Sequence, residues 1–224
     1  MKKNLLLLHG ALGSSQSWKK IIPLLADNFT IFCPDLPGHG GSHVPVHEGS
    51  ANEMVSFIRE YIQQNIAGEY FIAGYSMGGY IALKLAAANP AHLKAIITIA
   101  TKFNWDEAIA EKEAAGLTQE NLAPILHHLQ SAHRENFSAL PDLTKSILLS
   151  IGRKPLAKAD LEQISIPALV TLGDRDKMVT YDETKEFAAY IPGGKADLLI
   201  NQPHLLQKMD EQVIADVIKK TFNR

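Results

Sequence analysis

The chain has 224 residues, 46% of them hydrophobic, which is enough for one domain with a full core and short for two. The formal net charge is −2, and no basic arm or long run of one sign marks a nucleic-acid binder. A single cysteine, Cys33, rules out an internal disulfide framework; in an apolar segment it reads as a small buried hydrophobe.

Met1-Lys2-Lys3 followed by Leu5-Leu6-Leu7-Leu8 imitates the opening of a signal peptide, but the apolar run stops at His9-Gly10. A signal peptide needs about 7–15 apolar residues before its cleavage site, so residues 4–8 are read as a buried strand. Residues 17–26 are helical by the spacing of Trp18, Ile21, Ile22, Leu24 and Leu25, and 29–33 form a second strand. In 51–66, Met54, Val55, Ile58, Tyr61 and Ile62 recur at spacings of three and four, which predicts a helix. A strand at 70–73 leads into an alanine-rich helix at 77–88, ended by Asn89-Pro90. Further strands are expected at 95–100, 168–172 and 196–200, and further helices at 182–190 and 205–222. Residues 101–163 break this rhythm: they carry helical patterns at 106–115, 119–136 and 143–151 and no convincing strand. The expected organisation is a core of 1–100 and 164–224 interrupted by a helical insertion at 101–163. No segment approaches the ~20 apolar residues of a membrane span, and a cytoplasmic protein without a membrane partner is expected.

Near-continuous apolar strands are buried on both faces. Alternated with helices, they predict an α/β fold with a doubly wound, mostly parallel sheet. Ligands bind beyond the carboxyl ends of such strands, so the residues that follow each strand are where chemistry is sought.

The strongest signal there is Gly74-Tyr75-Ser76-Met77-Gly78, followed by Gly79, between a strand and a helix. A nucleophile on so tight a turn needs small neighbours two positions away, and the helix N-terminus behind it favours developing negative charge. A serine hydroxyl also needs a base. In this architecture the acid and then the histidine follow the serine along the chain, and past the fifth strand only His204 remains. The acid should end another strand, where Asp174 and Asp176 compete after Gly173. An oxyanion would be held by the backbone N–H of Met77 and by one from the loop His9–Ser15, with Ala11 the first choice and Leu12 the alternative.

Other histidines read as structural. His9 fixes its loop by hydrogen bonds, and His39 belongs to the rigid turn Asp35-Leu36-Pro37-Gly38-His39-Gly40-Gly41-Ser42, which lacks the Lys and spacing of a P-loop. His43 and His47 belong to a solvated loop without the companions of a metal site. His127, His128 and His133 are read as exposed helix histidines, with a place in the substrate pocket as the minority alternative.

His9-Gly10-Ala11, Asp35–Gly40, the elbow Gly74–Gly79, Gly173-x-x-Asp176 and His204 together resemble the α/β-hydrolase superfamily, in order and over most of the chain. The resemblance implies a catalytic triad of Ser76, Asp176 and His204, and a small helical cap over the site. It favours Asp176 because the family's acid usually stands fourth in a Gly-x-x-Asp run. Two departures stand out. The chain opens directly at the strand leading to the oxyanion loop, without the family's usual N-terminal hairpin, which implies a sheet of about six strands. Gln202-Pro203 also precedes the histidine where glycine is common. Ser76 argues against relatives with an aspartate nucleophile, such as haloalkane dehalogenases and soluble epoxide hydrolases. The loop His9–Ser15 with Trp18 is similar to small bacterial carboxylesterases and to the lyase of menaquinone synthesis that eliminates pyruvate.

The expected activity is hydrolysis of a small carboxylic ester or related acyl compound through an acyl-serine, a chemistry that needs neither metal nor cofactor. The alternatives are triad-dependent C–C cleavage or elimination, and a non-catalytic ligand-binding member of the fold. Leu12, Tyr75, Phe103 and Trp105 are expected against the substrate, and Leu122, Ile125, Leu126, Leu129 and Phe137 either line the pocket or pack cap to core.

Overall fold

In a computed structural model that describes residues 2–223, six parallel strands form one sheet in the order β2-β1-β3-β4-β5-β6. They are β1 (Lys3–Leu8), β2 (Phe29–Phe32), β3 (Tyr70–Tyr75), β4 (Leu93–Ile99), β5 (Ala168–Gly173) and β6 (Lys195–Leu199). The chain passes from β1 to β2 on one side and then returns to β3 on the other, so the order reverses at β1. The carboxyl ends of β1 and β3 lie in register there, with Leu8 opposite Gly74. A reversal of this kind opens a crevice between the loops that leave the two strands.

The leucine run of β1 shows why the sheet is covered twice. Leu6 and Leu8 pack against α2 (Ala51–Asn65) and α3 (Met77–Ala86), while Leu5 and Leu7 pack on the other face beside Trp18, Phe29 and α10 (Glu211–Phe222). All four leucines are fully buried, each contributing roughly 1.5–3 kcal/mol. β6 is different: it is an edge strand with its first four residues partly or fully exposed, so it is not sealed on both faces.

Helix ends follow local chemistry. Ser50 caps α2 by accepting from the Glu53 N–H, and the Glu53 carboxylate accepts the N–H groups of His47, Glu48 and Gly49 in return. The helix expected at 17–26 is split into a 3₁₀ turn, Ser15–Trp18, and α1 (Ile22–Leu25), which begins where Pro23 can be tolerated. The helix expected at 205–222 begins only at Glu211, because Asp210 accepts the Gln212 and Val213 N–H groups as its cap.

Between β4 and β5 stand α4 (Glu107–Ala115), α5 (Gln119–Leu122), α6 (Leu126–His133), α7 (Leu140–Arg153) and α8 (Lys158–Glu162), with no strand. The continuous helix expected at 119–136 is interrupted at Pro124 and closed at Arg134, whose φ of +49° ends α6. This small helical cap lies over the carboxyl edge of the sheet. α9 (Tyr181–Tyr190) covers β5 and β6. Among the described residues no helix is long and apolar enough to cross a membrane.

Candidate active site

β3 ends at Tyr75 and α3 begins at Met77, leaving Ser76 alone in the bend with φ +51° and ψ −119°. A non-glycine residue in that region costs on the order of 1 kcal/mol, and the bend is held by its neighbours. The Ser76 N–H donates to the Ile99 carbonyl at 2.8 Å, and the Thr101 hydroxyl donates to the Ser76 carbonyl at 3.1 Å. Close packing explains the flanking glycines: a Cβ at Gly74 would lie 2.6 Å from the Gly79 nitrogen, and one at Gly78 would lie 2.6 Å from the His9 carbonyl oxygen.

The loop after β5 supplies a carboxylate. Asp176 is turned inward by its N–H bond to the Gly173 carbonyl, 3.1 Å. Its Oδ1 accepts the N–H groups of Met178 (2.7 Å) and Val179 (3.0 Å), and its Oδ2 lies 2.7 Å from Nδ1 of His204. The Asp176 side chain is fully buried and that of His204 is 11% exposed, so Nδ1 carries the proton shared with the carboxylate and Nε2 is left to accept. Asp174 does something else: it accepts the Gln202 N–H at 3.2 Å, while Arg175 donates to the Asn201 side chain at 2.6 Å. These contacts tie the β5 loop to the β6 loop. Gln202, two positions before His204, is buried. Its amide donates to the Ile200 carbonyl and accepts the Asp210 N–H, bracing the segment that presents His204.

The loop after β1 closes the third side. Gly13 N–H bonds the Gly10 carbonyl at 3.0 Å, making a turn with Ala11 and Leu12 at its corners and Leu12 at φ +55°. A Cβ at Gly10 would meet the Tyr75 ring at 2.9 Å and the Ser76 Cβ at 3.1 Å, so the turn lies directly against the serine. Neither the Ala11 N–H nor the Met77 N–H donates to another group among the described residues. His9 donates from Nδ1 to the Gly10 carbonyl and accepts the Leu36 N–H at Nε2; Asp35 accepts from Ser15 and Gly41.

Ser76 and His204 face one cavity of about 230 Å³. Their side chains are not hydrogen-bonded to each other, an arrangement common before substrate draws such pairs together. Leu12, Tyr75 and Trp105 line the cavity; Phe103 does not. The Phe103 and Asn104 N–H groups bond the Glu183 carboxylate, which draws that stretch onto α9, where the Phe103 ring stacks on Phe187 at 5.0 Å. Leu122 and Leu129 pack with Leu140 inside the cap, Phe137 packs against them, and Ile125 and Leu126 are exposed. The cap lines the cavity instead with Glu113 on α4, with Leu117, and with Thr144, Leu148 and Ile151 on α7. Their spacing of four and three was a readable signal of a shared helical face. A larger but open groove of about 630 Å³, beside residues 42–49, contains none of these groups.

The expectation of exposed helix histidines holds for His127 and His128 and fails for His133. α6 ends at Arg134 in the left-handed region, and His133, fully buried, bonds two core loops. His43 lies exposed beside Glu135 at 2.9 Å.

Burial lowers the pKa of His9 to about 4; burial and the neighbouring His9 lower that of His39 to about 3. Burial also pushes the Cys33 thiol up to about 12, so it is a poor nucleophile. Unfolded imidazoles take up protons below about pH 6.5, whereas folded His9 and His39 stay neutral to about 4 and 3. The unfolded state therefore binds more protons in that window, and stability falls as the pH drops through it. The slope reaches up to about 1.4 kcal/mol per pH unit for each histidine. Urea midpoints at pH 7 and pH 5 measure this; equal midpoints would refute it.

The sequence model of the family described as alpha/beta hydrolase fold matches residues 3–150. The chain belongs to the α/β-hydrolase family. Among curated relatives of this hydrolase, the pimeloyl-[acyl-carrier protein] methyl ester esterase of Nitrosomonas europaea is 28% identical over 229 residues, 90% of this chain and 83% of that one. The 2-succinyl-6-hydroxy-2,4-cyclohexadiene-1-carboxylate synthase of Serratia proteamaculans is 26% identical over 199 residues, 77% of this chain and 76% of that one. Among solved structures, a thermophilic esterase from Thermogutta terrifontis has the same fold, with a TM-score of 0.83 at 22% identity, covering 100% of this chain and 90% of that one.

Proposed function

We propose that this α/β-hydrolase is a serine esterase that cleaves a small carboxylic ester, or a related acyl compound, through an acyl-serine. The observation that carries the reading is the buried 2.7 Å Asp176–His204 pair facing the same cavity as a serine held in a strained elbow.

His204 Nε2 takes the proton of the Ser76 hydroxyl as Oγ attacks the ester carbonyl, and Asp176 stabilises the imidazolium that results. The Ala11 and Met77 amides hold the oxyanion. As the tetrahedral intermediate collapses, the alkoxide leaves with the proton from Nε2. Water, deprotonated by the same nitrogen, then attacks the acyl-serine; as this second tetrahedral intermediate collapses, the bond to Ser76 Oγ breaks, Oγ takes the proton back from Nε2, and the acid is released. The cavity wall is apolar around Trp105, Leu117, Leu148, Ile151 and Val179, with Lys102 and Glu113 also on it, which suits an aliphatic acyl chain.

A fluorophosphonate probe tests the nucleophile. Labelling confined to Ser76, together with turnover of p-nitrophenyl esters of two to eight acyl carbons, is the expected result. Absence of labelling would favour a binding protein of the same fold. The synthase among the relatives keeps a second reading in view: labelling at Ser76 with no ester turnover, but elimination from a cyclohexene carboxylate, would move the function to a lyase.

A further inference from the structure

We propose that His133 is a positioning residue for the oxyanion loop, a latch through which the cap holds the Gly10–Gly13 turn in its working shape. The inference rests on the acyl-serine reading, since that reading gives the Ala11 amide its task.

Two hydrogen bonds define the latch, one buried and one part-buried. The Gly40 N–H donates to His133 Nδ1 at 2.9 Å, and His133 Nε2 lies 3.1 Å from the Leu12 carbonyl oxygen. The first bond requires a bare Nδ1, so the proton sits on Nε2 and is donated to Leu12. One ring therefore joins three segments: the end of α6, the loop after β2 and the turn beside the nucleophile. The turn needs such support. Leu12 is a leucine at φ +55°, a corner that favours glycine. The Leu12 carbonyl shares its peptide plane with the Gly13 N–H, which bonds the Gly10 carbonyl at 3.0 Å, and that carbonyl shares its plane with the Ala11 N–H. Fixing the Leu12 carbonyl from the cap therefore holds the plane that closes the turn and, through it, the plane that carries the Ala11 amide. Strain stands at the other end as well, in Arg134 at φ +49°, the residue that follows His133 and closes α6. Backbone strain on both sides of a single bond marks a contact that the fold is built to make. Asn136 gives a built-in comparison: its amide docks the same part of the cap on the Gly40 and Ser42 carbonyls without touching Leu12.

Glutamine reaches about as far as Nε2 and can still donate to Leu12, whereas asparagine reaches only as far as Nδ1 and can still accept from Gly40. With p-nitrophenyl butyrate, His133→Gln is expected to keep kcat within about threefold. His133→Asn is expected to lose at least ~10-fold in kcat with KM little changed, a fraction of the ~10²–10³ that removal of an oxyanion donor costs. Asn136→Ala is expected to lower Tm while kcat stays within about threefold. Equal kcat in the glutamine and asparagine variants, or an Asn136→Ala variant that loses kcat alongside His133→Asn, overturns the latch. If the asparagine variant does not fold, the acid limb of kcat decides. Asp35, His9 and His39 face His133 from the core and His128 from its own helix, and all four remain in the glutamine variant. Its limb is therefore expected to be shallower than that of the wild type by up to one proton; identical limbs overturn the latch. A wild type whose Ser76 resists the fluorophosphonate defeats the acyl-serine reading and the latch with it. A wild type that labels normally while the variants behave alike defeats the latch alone.

Discussion

Ser76→Ala is expected to lower kcat/KM for p-nitrophenyl esters by about 10³-fold or more while leaving the fold intact. The activity loss follows from removing the only atom that forms the acyl bond in the proposed reaction. The intact fold follows from what that atom does in the resting protein. The Ser76 hydroxyl makes no hydrogen bond among the described residues, whereas the bend is held by the Ser76 N–H and carbonyl, which alanine retains. Serine and alanine both carry a Cβ and meet the same cost at φ +51°. Ser76→Gly separates the two effects: it should be as inactive and more stable, by on the order of 1 kcal/mol, because glycine adopts that φ freely. Kinetics and thermal melts on the three proteins check both statements. An alanine variant with near-normal turnover would remove Ser76 from the reaction.

The parts legible in sequence were those carried by local pattern. Leu5–Leu8 reads as a doubly buried strand because four adjacent apolar side chains need two covered faces, and the two core layers on β1 fulfil that need. The elbow at Ser76 is legible because its glycines, two positions to either side, stand together between a strand and a helix; the steric cause at Gly74 is itself local, in Gly78 and Gly79. The misreadings fall where the deciding partner is remote in sequence. Phe103 looked like a pocket residue, but Glu183, 80 positions away, draws its backbone onto α9. His133 looked like its neighbours His127 and His128. What buries it is a left-handed residue after it and two loops about a hundred positions earlier. The apolar spacing of the last helix continues back through Leu205 and Leu206, while the Asp210 cap decides where regular bonding begins.

Asp176 and Asp174 are likewise told apart by partners remote in sequence, the His204 ring for the one and the Gln202 N–H for the other. Asp176→Asn is expected to lower kcat by about 10³–10⁴-fold with little loss of stability. Asparagine has the same shape, and its orientation is dictated by the backbone. The Met178 and Val179 N–H groups both point at the Oδ1 position, so the amide oxygen must sit there and the NH₂ group must face His204 Nδ1. Two donors cannot share that contact. The imidazole therefore moves its proton to Nε2, the nitrogen that must be bare to accept from Ser76. The substituted site keeps its geometry, with the base in the wrong tautomer. Asp174→Asn meets no such conflict, since its Oδ1 accepts a single N–H, from Gln202, and the amide can turn to suit; its kcat should stay within about threefold. Steady-state kinetics on the two variants, with far-UV circular dichroism to establish folding, distinguish the two carboxylates. A large loss in Asp174→Asn with activity retained in Asp176→Asn would reverse their roles and detach the buried pair from the chemistry.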